Sequence, residues 1–248
     1  MTTPLMPHTL QWLPADGSAP QQLMVLLHGW GASAADMAPL AQVLRQQFPQ
    51  CAVLAPEGFE PVDGTGAVQM AGRQWFSLAS AQGGMITEAE RPARVAAVLP
   101  RLAEWLRTAQ AATGVGPQAT ALVGFSQGSI CALELVQRHD GAAGRVLAFA
   151  GRYAALPDAA PRETTLHFFH GGADGVIPVT HAKAAIERLA ALQGDATIDI
   201  AEGAGHEIPP ALLRCALQRL TSHIPQRTWR EALGAAPARA GQPGELDD

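Results

Sequence analysis

No apolar run in this sequence is long enough to cross a bilayer: the longest stretches, such as Leu23 to Leu27, are strand-length, against about 20 residues for a spanning helix. There is no basic stripe either. The 17 Lys and Arg residues are scattered along the chain and are outnumbered by 22 Asp and Glu, giving a formal net charge of -5. That removes the electrostatic footprint of a nucleic-acid binder and argues against a preference for anionic phospholipid surfaces. Between Met1 and Gly17 no Lys or Arg precedes an apolar segment and no small-residue cleavage site follows, so no secretory signal is expected and the chain reads as a soluble cytoplasmic protein. The three cysteines, Cys51, Cys131 and Cys215, form an odd set without close spacing. Each lies in an apolar or helical pattern, which predicts free, buried thiols and neither a disulfide framework nor a zinc site. No H-E-x-x-H and no internal repeat occurs.

What is present is a chain of 248 residues with 48% apolar and only 16% charged residues, a balance that supports a sizeable core. The length is compatible with one continuous α/β domain. We place that domain at residues 1–233. The last residues, Gly234 to Asp248, are Ala, Gly, Pro and acid with almost no large apolar side chain, and read as a disordered tail.

Short apolar runs alternate with helical periodicity, the pattern of a doubly wound, mostly parallel sheet with helices on both faces. The strands predicted are Leu23 to His28, Cys51 to Ala55, Thr120 to Phe125, Arg145 to Ala150, Thr165 to His170 and Ala196 to Glu202, continuous enough in apolarity to be buried on both sides. Helices are predicted over Asp36 to Gln47, Glu88 to Ala112, Gln127 to His139, Thr180 to Gln193 and Pro210 to Ile224. Glu57 to Gly84 follows neither period and reads as a long structured loop, a feature often tied to function.

The strongest local signal is Gly124-Phe125-Ser126-Gln127-Gly128. This G-x-S-x-G stands between a predicted strand and a predicted helix, where a sharp turn would expose the serine hydroxyl above the sheet. The start of the helix adds free N–H groups and a positive dipole end, which favour a developing oxyanion. The bland alternative is a serine that merely caps the helix.

A serine needs a base, and the base a group to fix its tautomer. In α/β-hydrolases these follow in the order Ser, acid, His, on loops after strands. Asp174 follows the strand ending at His170 through Gly171-Gly172-Ala173, and His206 follows the last strand through Gly203-Ala204-Gly205. Asp195 precedes the last strand, Asp199 lies within it, and Glu202 is too near His206 to approach it from the far side. His139, His181 and His223 lie in helical stretches and His8 near the terminus, which disfavours them. His28 and His170 end strands, but His167 and His170 point to opposite faces of theirs, so no metal and no other cofactor is expected.

Leu27-His28-Gly29-Trp30-Gly31, Gly72-Arg73-Gln74-Trp75-Phe76, the serine motif, His170-Gly171-Gly172-Ala173-Asp174 and Gly205-His206-Glu207 occur together in order. The set resembles the phospholipase/carboxylesterase family, which contains bacterial carboxylesterases and acyl-protein thioesterases, and is most similar to its small bacterial cytoplasmic esterases. The resemblance runs from about Leu23 to about Ile224. It implies an α/β-hydrolase fold, a triad of Ser126, Asp174 and His206, and an oxyanion hole made by the backbone N–H groups of Trp30 and Gln127. Family members often carry a smaller aliphatic residue where Trp30 stands, so only its backbone role transfers. Trp75 is the counterpart of an aromatic beside the family's acyl site, with a core aromatic as the competing reading.

The expected activity is therefore hydrolysis of carboxylic esters, with acyl thioesters or lysophospholipids as further substrates, through an acyl-enzyme on Ser126. Trp30, Met70, Trp75, Phe76, Met85 and Ile177 are candidates for the substrate pocket. The expected partner is a small acyl ester or thioester, with no nucleic acid and no stable membrane insertion, and family analogy allows a monomer or a homodimer. Two other classes compete. Gly29-Trp30-Gly31-Ala32-Ser33-Ala34 reads G-x-G-x-x-A after a strand, with Glu57 after the next, as in dinucleotide-binding oxidoreductases. The other is an α/β-hydrolase that binds without catalysing.

Overall fold

The computed structural model describes residues 8–63 and 72–228; Met70 and the tail expected at Gly234 to Asp248 lie outside them. Nine strands are formed among these residues: β1 (Thr9–Trp12), β2 (Gln22–Leu27), β3 (Cys51–Pro56), β4 (Glu60–Pro61), β5 (Arg73–Gln74), β6 (Thr120–Phe125), β7 (Arg145–Phe149), β8 (Thr165–Gly171) and β9 (Ala196–Ala201). The helices are α1 (Ala38–Gln47), α2 (Arg91–Thr113), α3 (Gln127–Arg138), α4 (Thr180–Ala191) and α5 (Pro210–Ser222). Seven strands make one sheet in the order β1-β3-β2-β6-β7-β8-β9. All neighbours are parallel except β1 with β3.

Alternation along the strands sorts the core into two layers. Leu23, Val25 and Leu27 of β2 face one side with Leu99 of α2, Leu133 of α3 and Leu189 of α4. Met24 and Leu26 face the other with Leu44 of α1 and Leu212 of α5. The two-residue period of a strand therefore puts successive apolar residues under different helices, and the central strands are buried along both faces.

The structure departs from the sequence reading in four places. β1 was not expected: its four residues are half-buried or exposed in alternation, the weak pattern of a short antiparallel edge strand. β9 is only half-buried throughout, contrary to the burial expected for every strand, because among the described residues it pairs with β8 alone. Helix α2 starts at Arg91 and not at Glu88, because the Glu90 carboxylate turns back to accept from the Thr87 N–H at 2.8 Å and its hydroxyl at 2.9 Å, a capping arrangement that keeps the preceding residues as a turn. Finally, the irregular stretch after β3 contains an antiparallel ribbon, in which Glu60 pairs with Gln74 and Pro61 with Arg73.

Candidate active site

Every parallel strand of the sheet ends on the same rim, and the candidate residues stand on the loops there. At the end of β6 the chain turns so sharply that Ser126 has φ 53 and ψ -115, a conformation costing a non-glycine residue about 1–3 kcal/mol. The turn is over-determined by its surroundings. The Ser126 N–H donates to Phe149 O at 2.9 Å, and Ser126 O accepts from the Ile130 N–H at 3.1 Å. A Cβ on Gly124 would come within 2.5 Å of Ser129 Cα, and one on Gly128 within 2.1 Å of Leu27 O. The two glycines of the motif thus let α3 press against β6 and the end of β2, closer than any side chain permits.

The hydroxyl so presented meets His206. Ser126 Oγ lies 2.9 Å from His206 Nε2, and His206 Nδ1 lies 2.8 Å from Asp174 Oδ2. Because a carboxylate only accepts, Nδ1 carries the imidazole proton and Nε2 is left with its lone pair toward the serine. The other carboxylate oxygen, Asp174 Oδ1, accepts from the N–H groups of Val176 at 2.8 Å and Ile177 at 2.9 Å. Burial alone would raise the pKa of Asp174, but the bonds from His206, Ile177 and Val176 outweigh it and hold the carboxyl below its ordinary value. It is an anion that accepts three hydrogen bonds. The loops bearing the acid and the histidine are also stitched together, by Gly172 N–H to Ala201 O at 2.8 Å and Ala173 N–H to Ala204 O at 2.9 Å.

A second histidine touches the same acid. His170 Nε2 donates to Ile177 O at 2.7 Å and lies 3.4 Å from Asp174 Oδ2, while its Nδ1 is buried without a hydrogen-bond partner among the described residues. Burial keeps its pKa below the ordinary value in spite of the nearby carboxylate, so it is a neutral brace for the acid loop. The rejected candidates stand elsewhere. Asp195 accepts from Thr165 at 2.7 Å, Asp199 pairs with Arg219 at 3.0 Å, and Glu202 is exposed.

The two expected oxyanion donors, Trp30 and Gln127, line the same cleft as Ser126. Gln127 is the first residue of α3, and Trp30 follows β2 in the turn toward Ala32. Among the described residues neither backbone N–H donates to a turn or loop carbonyl. The Gly72–Phe76 segment fixes both. Arg73 O accepts from the Gly31 N–H at 2.9 Å, and the Arg73 N–H donates to Ala32 O at 2.8 Å. The Trp75 indole N–H donates to His28 O at 2.8 Å. On the other side, Gln127 Oε1 accepts from the Trp75 N–H and Gln127 Nε2 donates to Phe76 O, both at 2.7 Å. His28 completes the support. Its Nε2 accepts from the Gly58 N–H at 2.9 Å, so its proton sits on Nδ1 and is donated to Gly29 O at 2.7 Å, and burial lowers its pKa, keeping it neutral.

A cleft of about 560 Å³ opens at Ser126 and His206, with Trp30, Phe76, Met85 and Ile177 among its lining residues. Trp75 is a correction to the pocket expected from sequence. It is fully buried and does not line the cleft, because its indole is turned under the Trp30 turn by the bond to His28 O and packs edge-on against Phe59 at 5.3 Å. The Gln127 clamp went unread in the sequence, where an amide after the serine has no local signature. The G-x-G-x-x-A stretch does not open an α-helix for a pyrophosphate; it leads into a short 3-10 turn, Ala34–Met37, whose Ser33 N–H and hydroxyl are both taken by Asp36 at 2.8 Å. Among the described residues no three His, Cys, Asp or Glu side chains converge as metal ligands, and no helix is long and apolar enough to cross a membrane. All three cysteines are free; Cys51 and Cys131 are buried and Cys215 half-buried.

A parallel sheet covered on both faces, with a serine on a strained strand-to-helix turn and a histidine and acid on later loops, defines an α/β-hydrolase. The sequence profile described as Phospholipase/Carboxylesterase matches residues 13–224, and the chain belongs to that family. It is 44% identical over 227 residues to Esterase YpfH of Escherichia coli (strain K12), covering 92% of this chain and 91% of that protein. Among solved structures it is similar to esterase PE8, with a TM-score of 0.75 and 29% identity over 87% of this chain and 98% of the other. The fold is also that of Zea mays acyl-protein thioesterase 2, at a TM-score of 0.65 and 21% identity over 86% and 97% of the two chains. Membership makes the chain a carboxylic ester hydrolase.

Proposed function

We propose that this chain is a serine carboxylesterase that works through an acyl-enzyme on Ser126, with His206 as general base and Asp174 as its orienting acid. The observation that carries the proposal is the unbroken chain Ser126 Oγ, His206 Nε2, His206 Nδ1, Asp174 Oδ2, with contacts of 2.9 and 2.8 Å. Ser126 attacks the carbonyl carbon while Nε2 takes its proton. The carbonyl oxygen becomes an anion that accepts from the N–H groups of Trp30 and Gln127, donors fixed in place before the charge develops. His206 returns the proton to the departing alcohol or thiol, and Asp174 stabilises the imidazolium without being protonated. Water then repeats the attack on the acyl-enzyme with the same histidine as base, releasing the acid and restoring the serine. Small acyl esters, acyl thioesters and lysophospholipids all present such a carbonyl. The name of the 44% identical relative, Esterase YpfH, favours esters.

The test is a panel of p-nitrophenyl esters and acyl thioesters of graded chain length, run on wild type and Ser126→Ala, together with labelling by a fluorophosphonate probe. Ester turnover and labelling in wild type, both lost in Ser126→Ala, are expected. An unlabelled wild type without turnover would favour a binding module, and turnover surviving in Ser126→Ala would remove the serine from the reaction.

A further inference from the structure

The cleft that opens at Ser126 is lined not only by apolar side chains but also by Glu88, Arg91, Arg152 and His181. Plain alkyl esters give two guanidinium groups nothing to bind. Both arginines are well covered, with side chains 17% and 12% exposed, yet the carboxylate they share, Glu88, is 65% exposed. Arg152 grips Glu88 through both terminal nitrogens and is held from behind by Tyr153 O at 3.1 Å. Arg91 reaches Glu88 with one nitrogen at 3.0 Å, and its Nε is buried with no hydrogen-bond partner among the described residues. His181 adds no negative charge. Its Nε2 accepts from Arg152 at 3.1 Å, which requires a neutral ring.

Among the described residues the charges on this wall therefore do not balance: two fixed cations share one solvated carboxylate. Position increases the excess, since Arg91 is the first residue of the 23-residue helix α2, where the positive end of the helix dipole disfavours a cation. A side chain that breaks a local rule inside a substrate cleft points to function. We propose that Arg91 and Arg152 form an anion subsite, and that the esterase prefers substrates carrying a carboxylate a short chain away from the ester carbonyl. The inference rests on the esterase reading above. The substrate carboxylate would displace Glu88 toward solvent or join it, taking the Arg91 nitrogen that now holds Glu88 and a share of the Arg152 fork, the geometry arginine offers carboxylates.

The experiment compares matched pairs. On the acyl side, p-nitrophenyl monoesters of C4 to C8 dicarboxylic acids are set against p-nitrophenyl alkanoates of equal length. On the alcohol side, butyryl esters of ω-hydroxy acids are set against butyryl esters of the corresponding alkanols. We expect kcat/KM to favour the anionic member by about tenfold or more at one chain length in one arm, a charge-assisted bond's worth of discrimination, and to fall with added salt. Arg152→Gln and Arg91→Gln should abolish the preference, raising KM for the anionic substrate. Glu88→Gln, which removes the competing carboxylate, should increase the ratio of anionic to neutral kcat/KM. If the three side chains merely lock the cleft wall together, Glu88→Gln will instead lower both members of a pair alike, and the proposal fails. It also fails if neither arm shows a preference while neutral esters are turned over. Loss of the esterase reading itself would look different, as neutral-ester turnover that survives Ser126→Ala.

Discussion

At the carboxyl ends of the strands an imidazole stands between a carboxylate and a hydroxyl, His206 between Asp174 and Ser126. At the amino ends the same three kinds of group meet in another order. Asp195 is in the middle there, accepting from Thr165 Oγ1 at 2.7 Å and lying 3.2 Å from His223 Nε2. Next to it, His167 is bonded on both sides, to Thr197 Oγ1 at 2.8 Å and to Arg145 at 3.3 Å. A carboxylate in the middle is only a shared acceptor, whereas an imidazole in the middle has one nitrogen oriented and the other free to take a proton. Access differs as well: His167 is wholly buried, while the His206 side chain is 19% exposed beside a cleft. Residue types alone do not distinguish the two ends; order and access do.

The contrast breaks first in turnover. Ser126→Ala or His206→Ala should lower kcat by about four to six powers of ten, since members of such a unit lose nearly everything singly, whereas Thr165→Ala should leave the folded fraction turning over esters near the wild-type rate. Steady-state kinetics corrected for folded protein checks both. Asp174→Asn should cost about four powers of ten through the wrong imidazole tautomer, and Asp195→Asn should act on stability alone; a comparable loss of kcat in both would erase the distinction between the two ends. Third in size is Gln127→Ala, which strands the Trp75 N–H and Phe76 O in the interior. We expect a loss of about 2–3 kcal/mol by denaturant titration, the cost of unsatisfied buried partners.

The smallest effect is a slope against pH. Burial pushes the His167 pKa down to about 3 from an ordinary 6.5. The folded state thus refuses a proton that the unfolded chain accepts, so the stability tied to this group is complete above about pH 6.5 and drains away as pH falls toward 3. His167→Gln should flatten the stability profile between these limits by up to about 1.4 kcal/mol per pH unit. An unchanged slope by chemical denaturation at several pH values would remove His167 from the acid sensitivity of the protein.

The sheet was largely legible because its central strands are buried on both faces, and a short apolar run between turn signals has few other fates. The Thr120–Phe125 strand was read to the residue, and Gln127 as the start of the following helix. The edge strand Thr9–Trp12 escaped because half of its surface meets water and it pairs antiparallel with β3. The candidate triad was readable from chain order: each member follows a strand through a turn, and a parallel sheet delivers all such turns to one rim.

Tertiary structure alone decided the rest, and for one reason: it depends on contacts between residues with no fixed spacing along the chain. Trp75 carries the same letters whether it lines a pocket or sits beneath a turn; only the placement of His28 and Gln127 around it makes it a support. Glu88, Arg91, Arg152 and His181 come from helix α2 and its approach, the loop after β7 and helix α4. No periodicity links them, because a strand or helix pattern records which face a residue takes and not which distant residue it will meet there.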